Sequence, residues 1–262
     1  MAGDKYFAAH TADAAERERL AFLESGVDPR STRQLQALGV GAGWACLEVG
    51  GGGGSLTRWL ADRVGPGGRV VAVDIDTRFL REIDRPNVEV REQDILQDTS
   101  ESSTYDLAHC RFLLLHLSEA ELAIDRMIAA LKIGGWLMIE EPDFSSYAAA
   151  DPHHPLSEGF TRMVQQVFGR AARLKLFDPY FGRRSRAILE HAGLAEIGNE
   201  GTAQLWRGGE AEAREHQLSL PVLVKAGVCS EQESEYLERA LTDSSFTFVG
   251  HTVFSAWGKR VA

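Results

Sequence analysis

The sequence has 262 residues, of which 44% are hydrophobic and 25% are charged, and its formal net charge is −10. This composition is typical of a globular protein with enough apolar residues for a sizeable core. The negative charge disfavours broad surfaces for nucleic acid or anionic membranes, because both require basic patches. We therefore expect neither nucleic acid nor membrane among its partners.

The cysteines and the first residues indicate the compartment. Cys46, Cys110 and Cys229 lack the spacing of a disulfide framework or a zinc site, and we expect reduced, buried thiols. The opening sequence MAGDKYFAAH has no apolar signal core, and no apolar run approaches the roughly 18 residues of a membrane span. These features predict a soluble, cytoplasmic protein.

Two helices are predicted before the first strand. Residues 11–25 form a charged helix that Gly26 ends, and residues 28–39 form a second helix. Tyr6 and Phe7 precede them, either as aromatic contacts at the mouth of a ligand site or as part of a surface segment packed on the sheet edge.

A glycine run then separates a strand from a helix. The strand at residues 46–49 leads into five glycines and Ser55, and apolar residues recur at helical spacing over 56–64. A second strand follows and ends at Asp74. Strand, glycine turn, helix and strand together predict one βαβ crossover.

Two kinds of ligand site use such a turn. A dinucleotide site has the pattern G-x-G-x-x-G, whose third glycine would fall at Ser55. A flexible Gly-Ser linker is disfavoured by the strand and helix that flank the run. The pattern E-x-G-x-G-x-G fits better, with a second acid, Asp74, at the end of the next strand. Its members are Glu48, Gly50, Gly52 and Gly54.

This arrangement resembles motif I and the following acidic position of class I S-adenosylmethionine-dependent methyltransferases. The resemblance implies that Glu48 lies near the methionine end of the cofactor and that Asp74 binds both ribose hydroxyls. It also implies that Asp94 accepts a hydrogen bond from the adenine amino group, although a simple turn residue is the alternative. The residues expected against the faces of the adenine ring are Ile75 and Ile95.

Two later segments extend the resemblance. The strand at residues 105–110 resembles motif IV of small-molecule methyltransferases, whose last carbonyls receive the methionine ammonium group; Cys110 and Arg111 occupy that position. LKIGGWLMIEEPD, residues 131–143, resembles the LKPGG-plus-strand signature, with Ile133 where proline is usual. The N/D-P-P-Y/F element of DNA or protein amide methyltransferases is absent from the motif IV position.

Capping and alternation patterns predict the remaining elements. Ser118 and Ser230 each precede a glutamate by three residues, which predicts two capping boxes. Residues 160–174 form a long amphipathic helix, and residues 196–206 and 246–257 alternate as strands that pair at an antiparallel edge. The other helices predicted in this part are 186–192, 212–225 and 230–241.

The resemblance implies an α/β fold. We expect a Rossmann-like, doubly wound, mostly parallel seven-stranded sheet with an antiparallel C-terminal edge strand and a helical lid insertion. Residues 1–262 would form a single methyltransferase domain. Its parts are N-terminal helices at 8–40, a cofactor-binding core at 41–143, a lid at 144–184 and the C-terminal part of the core at 185–262.

Methyl transfer from a sulfonium is an in-line displacement, which depends mainly on proximity and alignment. A general base is needed only where the acceptor loses a proton, and the candidates we favour are His116, Glu141 and Asp143. Glu140 and Glu141 point to opposite faces of a strand, so at most one of them faces the cleft. We predict no metal site, because a catechol-type site needs several converging oxygen ligands, which Asp143 alone does not supply.

The acceptor is expected to contact the lid, where an arginine could clamp an acidic group. The protein is also a candidate for homodimer formation. The candidate substrate-binding residues are His153, His154, Phe160, Met163, Tyr180 and Arg183.

The predicted function is S-adenosylmethionine-dependent methyl transfer, of EC 2.1.1 type, to oxygen, nitrogen or carbon of a small molecule, with S-adenosylhomocysteine as product. The lidded form resembles the quinone-biosynthesis and natural-product tailoring branches, and thus secondary metabolism. One alternative is a same-fold cyclase or decarboxylase that uses the sulfonium only electrostatically. The other is a non-catalytic cofactor-binding module.

Overall fold

The computed structural model describes residues 13–98 and 100–261, so Tyr6, Phe7 and the start of the first predicted helix lie outside the described residues. The helices are α1 (Asp13–Ala37), α2 (Ser55–Val64), α3 (Ala120–Ala130), α4 (Ser157–Arg173), α5 (Ser185–His191), α6 (Ala211–Lys225) and α7 (Glu231–Thr242). The strands are β1 (Ala45–Val49), β2 (Arg69–Asp74), β3 (Val88–Glu92), β4 (Tyr105–Arg111), β5 (Leu131–Asp143), β6 (Ala148–Ala149), β7 (Ala195–Thr202), β8 (Leu205–Arg207), β9 (Thr247–Val249) and β10 (Thr252–Lys259).

The chain divides into two compact units. The glycine-loop unit comprises Val27–Glu141, Gly182–Glu200 and Phe254–Ala262. The aromatic unit comprises the remaining described segments, which are residues 13–26, Pro142–Phe181 and Gly201–Val253.

The glycine-loop unit is built on a seven-stranded sheet of order β3-β2-β1-β4-β5-β10-β7, which confirms the predicted fold class. β1 pairs in parallel with β2 and β4, and its residues are almost all buried, as expected of a strand covered on both faces. Gly134, early in β5, and Arg260, just after β10, lie side by side: the Gly134 N–H donates to the Arg260 carbonyl at 2.7 Å. The start of β5 therefore meets the end of β10, so β10 runs antiparallel and β7 forms the edge.

α2 covers this sheet with the apolar face that its sequence predicts. Leu56, Leu60 and Val64 are buried in one cluster with Leu107 of β4 and Met138 of β5. Because these residues recur every three or four positions, one helix face contacts the sheet while the opposite face carries the charged residues.

The aromatic unit has a small antiparallel sheet of order β6-β9-β8. Rings from three sequence segments pack together in its core. Phe144 stacks on Phe168 of α4 at 4.2 Å between centroids, and Phe160 meets Phe246 edge to face at 4.8 Å. The amphipathic character predicted for residues 160–174 is confirmed in α4, except that Leu174 follows the helix and is 61% exposed.

The predicted bounds of the N-terminal helices and of the two long strands were wrong. The two N-terminal helices are one continuous helix, α1, with Pro29 inside it. The strands predicted at 196–206 and 246–257 are each split, because β7 and β10 join the large sheet whereas β8 and β9 join the small one. Alternation identifies an extended segment but does not encode which sheet it joins.

The two predicted capping boxes also differ. Ser230 caps α7 as predicted, accepting from the Glu233 N–H while the Glu233 side chain accepts from the Ser230 N–H. Ser118 does not cap α3, because that helix begins one residue later, after Glu119, and has no side-chain cap. Within the residues that the structure describes, no helix has both the length and the apolar character that crossing a bilayer requires.

Candidate functional site

The glycine loop after β1 alternates in backbone conformation. Gly50, Gly52 and Gly54 have φ angles of 75°, 55° and 82°, whereas the intervening Gly51 and Gly53 have no such left-handed φ. Residues with side chains rarely adopt positive φ, so these three positions favour glycine for a conformational reason. They are the three glycines of the predicted E-x-G-x-G-x-G register. Alternating left-handed residues turn successive N–H groups toward a concavity, as in known anion-binding backbone nests.

Gly52→Ala and Gly51→Ala form a matched pair that tests this conformation. We expect the alanine at position 52 to lower the free energy of unfolding by about 1–2 kcal/mol, the cost of left-handed φ for an L-residue. At position 51 the added methyl group would meet the flexible methyl groups of Leu80 at 3.0 Å, which need move only slightly. Urea unfolding of both variants measures the difference in free energy of unfolding. An equal loss of stability at positions 51 and 52 would contradict a conformational requirement for glycine at position 52.

Two acids at the ends of β1 and β2 support the loop in different ways. Glu48 is 4% exposed and accepts a hydrogen bond from the Thr57 hydroxyl of α2. This bond connects the two elements that flank the glycine loop, β1 and α2. Asp74 accepts the Gly52 N–H at 3.0 Å with one oxygen and the Asp76 N–H at 3.0 Å with the other. Burial raises the pKa of Asp74, and the two N–H donors oppose that shift.

The next acid, Asp94, follows β3. Its carboxylate accepts the Leu96 N–H at 2.8 Å, so the turn function that the sequence left open is present. Ile95 is buried, whereas Ile75 is 47% exposed and is one of few large apolar side chains so exposed in the described residues. β1, β2 and β3 are adjacent parallel strands, so Glu48, Asp74 and Asp94 follow one edge of the sheet, where open α/β sheets bind ligands.

The end of β4 completes this edge. Cys110 is fully buried, and burial raises its thiol pKa well above the ordinary value. Arg111 is engaged elsewhere: its guanidinium pairs with Asp28 of α1 at 2.8 Å, and Asp28 also accepts from the Ser55 hydroxyl at the start of α2. Phe112 has a φ of 52°, which is uncommon for a bulky residue and is concentrated at functional sites.

The adjacent glutamates of β5 occupy different environments. Glu140 is buried between the His109 ring, at 3.2 Å, and the Ser255 hydroxyl, at 2.6 Å. Burial alone would raise its pKa, but His109, Arg111 and Ser255 lower it to about 2. Glu141 accepts the backbone N–H groups of residues 113–115, yet burial raises its pKa to about 8.

The other two candidate bases, His116 and Asp143, each lie in or next to a short helical turn. His116 is half-buried in the helical turn Leu114–His116, which follows β4 and which Glu141 caps. Asp143, in the aromatic unit, is buried and accepts the Ser145 N–H at 2.9 Å. Glu141 and Asp143 therefore both shape backbone turns, whatever further role they have.

The predicted substrate residues are dispersed. Phe160 is fully buried in the aromatic core, Met163 and Tyr180 are half-buried, and His153 and Arg183 are exposed. His154 hydrogen-bonds the Ser245 hydroxyl at 3.3 Å and packs against the ring of Phe246. The aromatic unit also has a cavity of about 300 Å³ that none of these six residues lines. Its lining residues are Ala150, Asp151, Leu205, Trp206, Arg207, Glu210 and Thr247.

Two features of the structure are not predicted from the sequence. Asp28, predicted only to open a helix, links Arg111 to Ser55 beside the glycine loop. In the aromatic unit, Glu212 and His216 of α6 meet His251, which lies between β9 and β10. Glu212 and His216 are four residues apart on a predicted helix, so the sequence could have suggested that these two side chains are neighbours. No local pattern indicates that His251 joins them.

Comparison with known proteins agrees with this geometry. Residues 47–137 match the family model of a methyltransferase domain. A methyltransferase of Strobilurus tenacellus is 27% identical over 68% of this chain and 63% of its own length, so the chain spans less than two thirds of that relative. A ubiquinone/menaquinone biosynthesis C-methyltransferase of Saccharophagus degradans is 33% identical over 41% of this chain and 46% of its own length.

The fold is shared with solved structures. A Bacillus halodurans protein assigned as a methyltransferase superposes with a TM-score of 0.60 at 17% identity, covering 87% of this chain and 98% of that one. At that identity the likeness concerns the fold alone.

Proposed function

We propose that the chain is a class I S-adenosylmethionine-dependent methyltransferase that transfers a methyl group to a small-molecule acceptor, because residues 47–137 match a methyltransferase-domain model and named methyltransferases align with the chain. The observation that carries the proposal is the match between the left-handed positions, Gly50, Gly52 and Gly54, and the family's glycine register. The dinucleotide alternative would place its third glycine at Ser55, which instead is the first residue of α2.

The residues at the sheet edge suit this cofactor chemically. Asp74 holds the loop with one lone pair of each oxygen, which leaves acceptor capacity for vicinal hydroxyl groups. Exposed Ile75 offers an apolar surface to a flat ring, and Asp94 is an acceptor one strand further along. The α2 N-terminus has no side-chain cap, so its first N–H groups suit a carboxylate.

When bound, S-adenosylmethionine supplies an electrophilic methyl group on its sulfonium. The contribution of this chain is then to position the donor and exclude water, because an in-line displacement depends chiefly on alignment. Neither glutamate of β5 is available as a free base in this state, since both are fully buried and hydrogen-bonded. We therefore propose that a carbon, nitrogen or oxygen acceptor is selected for being nucleophilic already.

Two observations support a small acceptor. The net charge of −10 is unfavourable for broad nucleic-acid surfaces. The Saccharophagus degradans relative is, by its name, a C-methyltransferase of quinone biosynthesis. We propose acceptors of that kind, small molecules with an activated carbon, nitrogen or oxygen atom.

Calorimetric titration tests the cofactor. We expect S-adenosylmethionine and S-adenosylhomocysteine to bind in the micromolar range and NAD to give no heat, because Ser55 replaces the third dinucleotide glycine. Binding of NAD and silence from both sulfur ligands would overturn the proposal. A screen with methyl-labelled cofactor then separates methyl transfer, which labels a product, from a cyclase, which converts its substrate without labelling it.

A further inference from the structure

Three metal-ligating side chains converge in the aromatic unit. His251 Nδ1 lies 2.9 Å and His216 Nε2 lies 3.8 Å from the same oxygen of Glu212, and the three ligand atoms all lie within 4.8 Å of one another. Ligands placed at about 2.0–2.2 Å around a tetrahedral zinc ion stand roughly 3.3–3.6 Å apart. The observed separations bracket that spacing, so small side-chain adjustments would complete the geometry.

The surroundings hold these ligands in place. His216 Nδ1 faces a Glu215 oxygen at 3.5 Å, and Glu215 in turn accepts from Arg19 at 2.8 Å and from Ser219 at 3.1 Å. A carboxylate behind the far nitrogen of a histidine is the usual support of a metal-bound imidazole. The backbone N–H of His251 donates to the same Glu212 oxygen at 3.1 Å, which fixes the carboxylate in place.

Two polar atoms in this cluster are left incompletely satisfied. His216 Nε2 and the Tyr147 hydroxyl are buried without a hydrogen-bond partner among the described residues, and their rings lie 5.0 Å apart. Such atoms are costly unless something further binds there. Arg19 pairs with the buried carboxylates of Glu16 and Glu215, whereas the Glu212 carboxylate faces His216 and His251. A divalent cation bound here would neutralise the negative charge of the Glu212 carboxylate.

We propose that Glu212, His216 and His251 bind a divalent transition-metal cation of the zinc class. Two imidazole nitrogens and one carboxylate oxygen favour Zn²⁺, Co²⁺, Ni²⁺ or Fe²⁺ over Mg²⁺ and Ca²⁺, which prefer oxygen ligands only. Three protein ligands leave a further coordination position open for water or a small molecule. This site stands apart from the cofactor proposal, since it uses none of the glycine-loop residues.

Titration of untagged, chelator-stripped wild-type protein tests the site directly. We expect one equivalent of Zn²⁺ to bind by calorimetry, Co²⁺ to give a visible d–d absorption band, and Mg²⁺ to give no heat. Zn²⁺ should also raise the melting temperature, because a ligand of the folded state stabilises it. An ordinary protonated histidine–glutamate pair would show none of these effects, and that result in the wild type would overturn the proposal.

Variants assign the ligands. His216→Ala and His251→Ala should each weaken Co²⁺ binding by 100-fold or more, and Glu215→Gln by about 10- to 100-fold, as for the outer partner of a metal-bound histidine. His191→Ala is the matched control, because it removes an exposed histidine of α5 whose ring hydrogen-bonds the Ala187 carbonyl of the same helix. Circular dichroism checks folding. Unchanged binding in both folded histidine variants would refute this assignment even if the wild type binds metal.

Discussion

Replacement of Asp74 by alanine is expected to weaken the binding of S-adenosylhomocysteine by about 30-fold to several hundred-fold. Without the carboxylate the ribose would lose two charge-assisted hydrogen bonds, worth on the order of 2–4 kcal/mol together. The N–H groups of Gly52 and Asp76, which donate to Asp74 at 3.0 Å, would also lose their acceptor. Calorimetric titration of the wild type and the variant measures the ratio of dissociation constants.

Asp76→Ala is the matched control, because it removes the same charge two residues away. Asp76 is partly exposed and pairs with Arg78 at 3.0 Å, so its loss should change affinity little. Asp74→Asn keeps one acceptor oxygen and should give an intermediate affinity. Equal weakening in the Asp74 and Asp76 alanine variants would indicate a general electrostatic effect and would remove Asp74 from the ribose site.

The glycine register was predictable because it depends on the backbone. Five consecutive glycines permit several registers, but an acid two residues before the first one, at Glu48, and a second acid at Asp74 favour one of them. The φ angles of Gly50, Gly52 and Gly54 follow that register. The flanking acids and the backbone conformation of the glycines thus indicate the same register. A sequence pattern predicts structure well where such local features agree.

Elements that depend on tertiary packing were less predictable. Gly26 and Pro29 read as the end of one helix and the start of another, yet α1 continues through both. Proline removes one helical hydrogen bond, but buried residues on either side, such as Val27 and Leu35, stabilise the helix through packing. The helix propensity of single residues therefore predicts helix ends poorly where one face of the helix is buried.

The Glu212–His216–His251 cluster could not be predicted for a similar reason. His251 is 35 residues beyond His216, in the turn between β9 and β10, and only the pairing of the small sheet brings it to α6. Gly250 contributes as well, since a Cβ there would lie 2.1 Å from a Glu212 oxygen. A requirement for glycine that arises from another element of the fold leaves no local signal in the sequence.

Replacement of Glu141 by glutamine is expected to remove most of the pH dependence of stability that Glu141 itself contributes. The folded-state pKa of Glu141 is raised to about 8 from an ordinary value of 4.5, because burial outweighs three backbone N–H donors. Between those values the folded protein holds a proton that the unfolded chain releases. The free energy of unfolding therefore falls as pH rises through this window, by at most about 1.4 kcal/mol per pH unit, and the contribution is fully present only below the lower value.

Glu140 has the opposite sign and acts in a different window. Its pKa is lowered to about 2, so the stability it contributes is present above its ordinary value and is lost as pH falls toward 2. Two adjacent residues of one strand thus limit stability from opposite sides: Glu140 at acidic pH and Glu141 toward alkaline pH. Glu141→Gln should leave the acidic side of the stability profile unchanged.

Urea unfolding at intervals from pH 5 to pH 9 measures this effect as a difference between variant and wild type. The glutamine variant should gain stability relative to the wild type as pH rises to about 8, and the difference should be constant above that value. Glutamine keeps an oxygen for the N–H groups of Leu113 and Leu114, so the turn after β4 is retained. Glu121→Gln, at an exposed site of α3, should give a curve parallel to the wild type. If Glu141→Gln also runs parallel, Glu141 is ionised in the folded protein, and its three N–H donors outweigh its burial.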